Sequence, residues 1–232
     1  MENGSGVSNI ENPRSEMELT VRKAARALGN HGLVHAYGHC SQRIDENYFL
    51  VCAPKPLATI EAGDHGTIVP IHGDFPDGVL GEVRIHREIY RLRPDVGGVV
   101  RSMPKQVMSL SALGRTPRIL HGMSSYFAPN VPLWNDPQLI RNDEAAQSAA
   151  ELLGNKTGIV LRGNGAVVTG DSLKDAVVLT WYLEDAARIE LDCLPVSKEV
   201  IELGLEEAKA RATRSGQIFE RMWDYLTHGD PE

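Results

Sequence analysis

The chain has 232 residues, 42% of them apolar and 24% charged, which is enough to bury the core of one domain. A net charge of -7 argues against nucleic acid or an anionic membrane as the main partner. No apolar run approaches 18 residues, so no membrane-spanning helix is expected.

The opening residues carry neither a basic region nor an apolar stretch, so no signal peptide is expected. Residues 1–14, rich in Gly, Ser and Asn, predict a disordered tail ahead of one domain over 15–232. Ser15 and Glu18 have capping-box spacing and open a predicted helix over 19–28 that stops at Gly29. A strand over 48–52 precedes a loop with Pro54 and Pro56, and a strand over 67–71 ends in a turn at His72 to Asp74. Residues 82–92 set Val83, Ile85, Ile89 and Leu92 against Arg84, Arg87, Glu88 and Arg91, an amphipathic helix.

A buried strand is predicted over 96–100 and a helix over 105–113, stopped by Gly114. A loop rich in Pro, Ser and Asn fills 115–141. An Ala-rich helix (144–153), strands over 158–161 and 166–168, and a long helix over 173–194 capped by Ser172 follow. Residues 199–226 read as largely helical, broken at Gly204 and Gly216. Strands and helices mix without a βαβ repeat. The expected fold is a single α/β domain with a mixed central β-sheet flanked by helix layers. Cys40, Cys52 and Cys193 lack C-x-x-C spacing and suit reduced thiols in a cytoplasmic protein.

Residues 94–104, PDVGGVVRSMP, resemble the pattern PDV-x-x-VVH-x-HP of the class II aldolase/adducin family, with both histidines replaced, by Arg101 and Met103. Residues 161–170, LRGNGAVVTG, resemble that family's L-x-x-HG-x-x-x-x-G with Asn164 at the histidine. GHCSQR at 38–43 looks like the G-H-x-S-x-R form of the substrate-anchoring loop in the decarboxylase-like branch. FLVCAP at 49–54 resembles the strand that follows. Glu82, His86 and Tyr90 match E-x-x-x-H-x-x-x-Y, the helix of the catalytic glutamate. The resemblance spans about 21–194. It implies an aldolase/adducin-like fold, a cyclic homotetramer, and zinc, manganese or iron enzymes that stabilise an enolate on the metal.

The residues at the three ligand positions do not continue that chemistry. Such sites use neutral imidazoles. A guanidinium has no free lone pair, a thioether matches zinc or manganese poorly, and one amide oxygen is a weak ligand. No metal and no cofactor is therefore expected at Arg101, Met103 and Asn164. Arg101 is read either as filling a vacated pocket, paired with a carboxylate such as Glu82, or as neutralising a substrate carboxylate or enolate oxygen.

Glu82 is the acid/base candidate, beside the plainer reading of a carboxylate at a helix N-terminus. His39 and Ser41, in a glycine-started loop, suit an anionic substrate group. Arg43 and Lys55 are each read as an anion contact or an ordinary surface charge, and Asn164 as a substrate contact. The segment HGMSSYF at 121–127 offers His121 and Tyr126 for the pocket border, or else an oligomer contact. His86 is read as a satisfied core histidine.

The reading favoured is a divergent, metal-independent, lyase-like enzyme acting on a small oxygenated carboxylic acid. Its chemistry would be decarboxylation, retro-aldol cleavage, dehydration or isomerisation through an enolate. Two alternatives stay open: a non-catalytic binding or assembly protein on the same fold, and a metal-dependent enzyme using unexpected ligands.

Overall fold

The computed structural model describes residues 13–196 and 199–232. In chain order they form α1 (Pro13–Asn30), β1 (His39–Arg43), β2 (Tyr48–Val51), β3 (Thr67–Pro70), α2 (Arg84–Leu92), β4 (Gly98–Ser102) and α3 (Lys105–Ala112). The second half adds β5 (Leu133–Trp134), α4 (Asp143–Leu153), β6 (Gly158–Leu161), β7 (Ala166–Gly170), α5 (Leu173–Cys193), α6 (Leu205–Arg211) and α7 (Ile218–Leu226). The strands join in one sheet of order β3-β2-β1-β4-β7-β6-β5. Every pairing is antiparallel except that of β5 with β6, so the α/β fold with a mixed sheet is as expected.

Alternation along β1 shows the two layers. Cys40 turns to one face, where its thiol meets the Val21 carbonyl of α1 at 3.8 Å. His39 and Ser41 turn to the other, where both bond His86 of α2. Helix α5 packs with α1 on the first face, against β4 and β7. Val99, Val100, Val167, Val168 and Val177 are fully buried there and in the sheet, each side chain stabilising the fold by about 1.5–3 kcal/mol. Helix α5 starts where the sequence places it. Ser172 Oγ accepts the Asp175 amide at 3.1 Å.

Two glycines let β4 lie directly on the start of α5. A Cβ at Gly97 would run into the Asp171 carbonyl, and one at Gly98 into the backbone of Leu173. The strand is thus seated at its N-terminal end by backbone against backbone.

Several boundaries differ from expectation. Of the expected tail, residues 1–12 lie outside the described residues, while Pro13 and Arg14 already belong to α1. Ser15 and Glu18 are inside that helix rather than at its cap, and Glu18 accepts the Gly66 amide at 3.0 Å instead. Segment 38–43 is no loop but holds β1, a strand between β2 and β4. The expected loop 115–141 contains β5 and a 3-10 turn, Ser124–Phe127. The C-terminal segment is helical only in α6 and α7. Its last residues dock on α1, where Arg26 holds Asp230 at 2.7 Å and Arg22 holds Glu232 at 2.6 Å.

Candidate active site

Three local features bring the pocket together. Strand β4 carries Arg101 directly opposite His39 of β1, and opposed residues of neighbouring strands point to the same face. The β6–β7 hairpin turns through Gly163 and Gly165, both at positive φ. Gly165 lies so close to the Ser102 carbonyl and Met103 that no side chain fits there. The close approach sets Asn164, at the hairpin tip, against the end of β4, and Arg101 Nη2 donates to Asn164 Oδ1 at 2.7 Å. The third feature is the 3-10 turn Gly81–Val83, which leads into α2 and places Glu82 in the same lining.

The cavity between them has a volume of about 590 Å³. Arg101, Asn164 and His39 form its polar floor, while Met103, Leu80, Leu139, Pro54, Pro56 and Tyr37 supply apolar surface. Leu80, Leu139 and Tyr37 are exposed at the rim. Arg101 is only 5% exposed, and burial pushes its pKa down to about 10 while Glu82 acts in the opposite sense, so it stays a cation at neutral pH. Glu82 does not pair with Arg101. Its carboxylate is held by Arg141, 2.9 Å away. Arg141 sits just before α4, whose Asp143 ties back to Arg87 of α2 at 2.6 Å.

Behind the floor is a buried polar chain. His39 Nδ1 and His86 Nε2 are 2.8 Å apart, and His86 Nδ1 and Ser41 Oγ 2.6 Å. Ser41 Oγ and the Tyr90 hydroxyl are 3.0 Å apart, and Tyr90 also donates to the Ser41 carbonyl at 3.0 Å. Burial, reinforced by Arg101, pushes His86 down to about 3. Burial followed by His86 and Arg101 holds His39 well below its usual range, so both rings are neutral at physiological pH.

The pocket therefore joins Glu82, Arg101, Met103, Asn164, His39 and Lys55. Lys55 is tied at 2.6 Å to Asp64. Other expected site residues lie elsewhere. Ser41 is wholly buried behind His39. The Arg43 guanidinium is spent on the carbonyls of Val96, Tyr90 and Arg93 and on the face of the Tyr90 ring. His121 and Tyr126 border the C-terminal helices: His121 takes the Met123 amide on Nδ1, and Tyr126 donates to the Thr213 carbonyl at 2.6 Å. Arg141 and Tyr37 were not anticipated. Arg141 lies 59 residues from Glu82 in a segment read as loop, and no local signal marks it.

The residues present do not fit a divalent ion. Of the three ligand positions, Arg101 brings its own positive charge, Asn164 already gives its oxygen to Arg101, and only the Met103 thioether is left, while His39 and Glu82 add one imidazole and one carboxylate but no third soft or imidazole donor beside it. Among the described residues no group of three or more His, Cys, Asp or Glu side chains is placed to hold a metal.

The sequence profile of the Class II Aldolase and Adducin N-terminal domain matches residues 20–191. The chain belongs to the class II aldolase and adducin family. Within it, the chain is 30% identical over 189 residues to a 3,4-dihydroxyphthalate decarboxylase of Arthrobacter keyseri, covering 74% of this chain and 76% of that protein. It is 27% identical over 207 residues to a 3,4-dihydroxyphthalate decarboxylase of Terrabacter sp. (strain DBF63), covering 82% and 86%. Of solved class II aldolase structures, the L-fuculose 1-phosphate aldolase of Glaciozyma antarctica PI12 superposes with a TM-score of 0.77 over 97% of this chain and 92% of that one. At 20% identity the likeness is one of fold. No helix among the described residues is long and apolar enough to cross a membrane.

Proposed function

We propose that this class II aldolase and adducin family member is a lyase that decarboxylates a small hydroxylated carboxylic acid, aromatic or enolisable, without a metal. The observation that carries the reading is Arg101. It is a buried cation at the floor of a half-apolar cavity, with one hydrogen bond to a neutral oxygen and no carboxylate partner among the described residues. A buried charge left in that state is costly unless an anion completes it. The decarboxylase names of relatives support the reaction class.

The useful place for Arg101 is on the oxygen that gains charge, not on the leaving carboxylate. A contact made equally in ground and transition states does not raise turnover. When the bond from the carboxyl carbon to its neighbour breaks, the electron pair stays on that neighbour and spreads to the attached hydroxyl or keto oxygen as carbon dioxide departs. A guanidinium aimed at that oxygen stabilises the resulting enolate or phenolate. The leaving carboxylate then sits against Leu80, Leu139 and Met103, where poor solvation favours its loss as a neutral gas. Glu82, beside Leu80 in the lining, relays a proton from water to the carbon from which carbon dioxide has left.

The test is release of carbon dioxide from a panel of hydroxylated benzoic, phthalic and β-keto acids, with and without a chelator. Chelator-resistant release that disappears in Arg101→Ala supports the proposal. Release that requires added zinc, manganese or iron refutes its metal-free part. A panel with neither turnover nor binding refutes the enzyme.

A further inference from the structure

The buried chain behind the pocket has a direction, and the direction follows from counting protons. Four contacts lie in line: His39 Nδ1 to His86 Nε2 (2.8 Å), His86 Nδ1 to Ser41 Oγ (2.6 Å), Ser41 Oγ to Tyr90 Oη (3.0 Å), and Tyr90 Oη to the Ser41 carbonyl (3.0 Å). Each needs one proton between its atoms. With both rings neutral, the four side chains supply four protons: one on each imidazole, one on Ser41 and one on Tyr90.

The carbonyl accepts only, so the Tyr90 proton belongs to it. Tyr90 Oη can then only accept, and the Ser41 proton fills that contact. Ser41 Oγ must accept from His86 Nδ1–H, which leaves the Nε2 lone pair of His86 to accept from His39 Nδ1–H. The reverse arrangement, with Ser41 donating to His86, leaves one of the two Ser41–Tyr90 contacts with no proton in it, two oxygens facing each other in a dry interior. His39 is left with its Nε2 lone pair. That atom makes no hydrogen bond among the described residues and is what this ring can offer the cavity it lines.

We infer that Tyr90, Ser41 and His86 are positioning residues that fix His39 as a neutral acceptor, so that the site selects a ligand bearing a free hydroxyl beside the oxygen on which charge develops. The hydroxyl donates to His39 Nε2 while Arg101, directly opposite on β4, takes the neighbouring oxygen that gains the charge. A methyl ether or a second carboxylate oxygen at the hydroxyl position meets a lone pair with a lone pair. This selectivity rests on the proposed use of the pocket as the substrate site. The direction of the chain does not.

Two measurements separate them. Nitrogen-15 NMR of the full-length protein, with His39 assigned by substitution, reads the tautomer without any ligand. The expected result is a proton on Nδ1 and none on Nε2. Tyr90→Phe keeps the ring against Phe49 but removes the first donor, freeing Ser41 to donate to His86 and reversing the chain. His39 in that variant should move toward the Nε2–H form. A proton on Nε2 in the unmodified protein, or an unchanged tautomer in Tyr90→Phe, overturns the assignment.

The second measurement is calorimetric binding of 3,4-dihydroxybenzoate and its 3-methyl ether to the unmodified protein and to Tyr90→Phe. The free hydroxyl should favour binding by at least about fivefold over its methyl ether, the worth of one hydrogen bond, and Tyr90→Phe should erase the preference. Equal binding of the two sinks the selectivity. If neither acid binds, the substrate-site reading falls and the selectivity with it, while the NMR result still decides the direction of the chain.

Discussion

Arg101 and Glu82 line one cavity, each already engaged by a different neighbour: Arg101 by Asn164 at 2.7 Å, Glu82 by Arg141 at 2.9 Å. Had the two paired with each other, the pocket would be closed by its own salt bridge. Because they do not, the floor keeps a cation without an anion, and the lining keeps a carboxylate whose partner is a largely exposed arginine. The proposed chemistry depends on this separation.

Arg101→Lys should weaken substrate affinity or turnover by roughly 30- to 150-fold although the charge is kept. An ammonium cannot hold Asn164 and a substrate oxygen in one planar fork, and a lost charge-assisted contact is worth about 2–3 kcal/mol. Steady-state kinetics on any acid that passes the carbon dioxide screen gives the number. A variant within threefold of the parent places the charge-bearing group elsewhere.

Glu82→Gln should lower kcat by more than tenfold and change KM little, because the proton it handles moves only on the way to the transition state. An effect confined to KM would make Glu82 a binding residue.

Purified protein should carry less than about one-tenth of an equivalent of zinc, manganese or iron, given the donors at positions 101, 103 and 164. Elemental analysis decides it. Stoichiometric metal, lost together with activity on dialysis against a chelator, would show that other ligands have been recruited.

Much of the architecture was readable beforehand, and the failures have physical causes. Helix α5 was clear because Ser172 caps it and its apolar positions recur over many turns. Strand β1 was missed because HCSQR has no β-branched or aromatic residue. Its extended form is imposed by β2 and β4 on either side, a tertiary effect that local preference does not register. The gathering of Arg101, Met103 and Asn164 with Glu82 was legible only through the family resemblance, whose motifs set their register. The role of His86 was not, since it arises only when α2 packs across β1. Arg43 was left open between an anion contact and a surface charge, and its actual partners, carbonyls from the end of α2 and the loop after it, lie too far along the chain for local sequence to show.

Arg43→Ala should accordingly cost on the order of 2–4 kcal/mol of stability, through three stranded carbonyls rather than a lost ligand contact. Urea unfolding measures it. Normal stability with impaired binding would return Arg43 to the site.

The carboxylates of the last residues predict an acid-sensitive clasp. Hydrogen bonds from Arg22, opposed by burial, hold Glu232 at about 2 against an ordinary value of 4.5. Asp230 is buried, which opposes ionisation, yet Arg26 keeps it below its ordinary value. For a depressed carboxylate the stabilisation is complete above the unfolded pKa and is lost as pH falls toward the folded one. Stability should therefore drop between about pH 4.5 and pH 2, and Glu232→Gln should flatten that fall. Thermal melts across the range test it, and parallel curves for the two proteins would remove the clasp from the account.

By light scattering we expect a homotetramer at micromolar concentration, a state in line with the closed symmetry common among such enzymes. A monomer would count against that assembly.

The seating of β4 on α5 has a consequence on the other side of the sheet. Arg101 stands three residues along from Gly98, roughly 10 Å away, on a strand whose height is set by bare backbone contact. No side chain cushions that contact. A single methyl group added at position 98 would have to lift the strand, and the guanidinium would rise into the cavity with it. The height of the cavity floor is thus set from behind, by the contact of two glycines on the far side of the sheet.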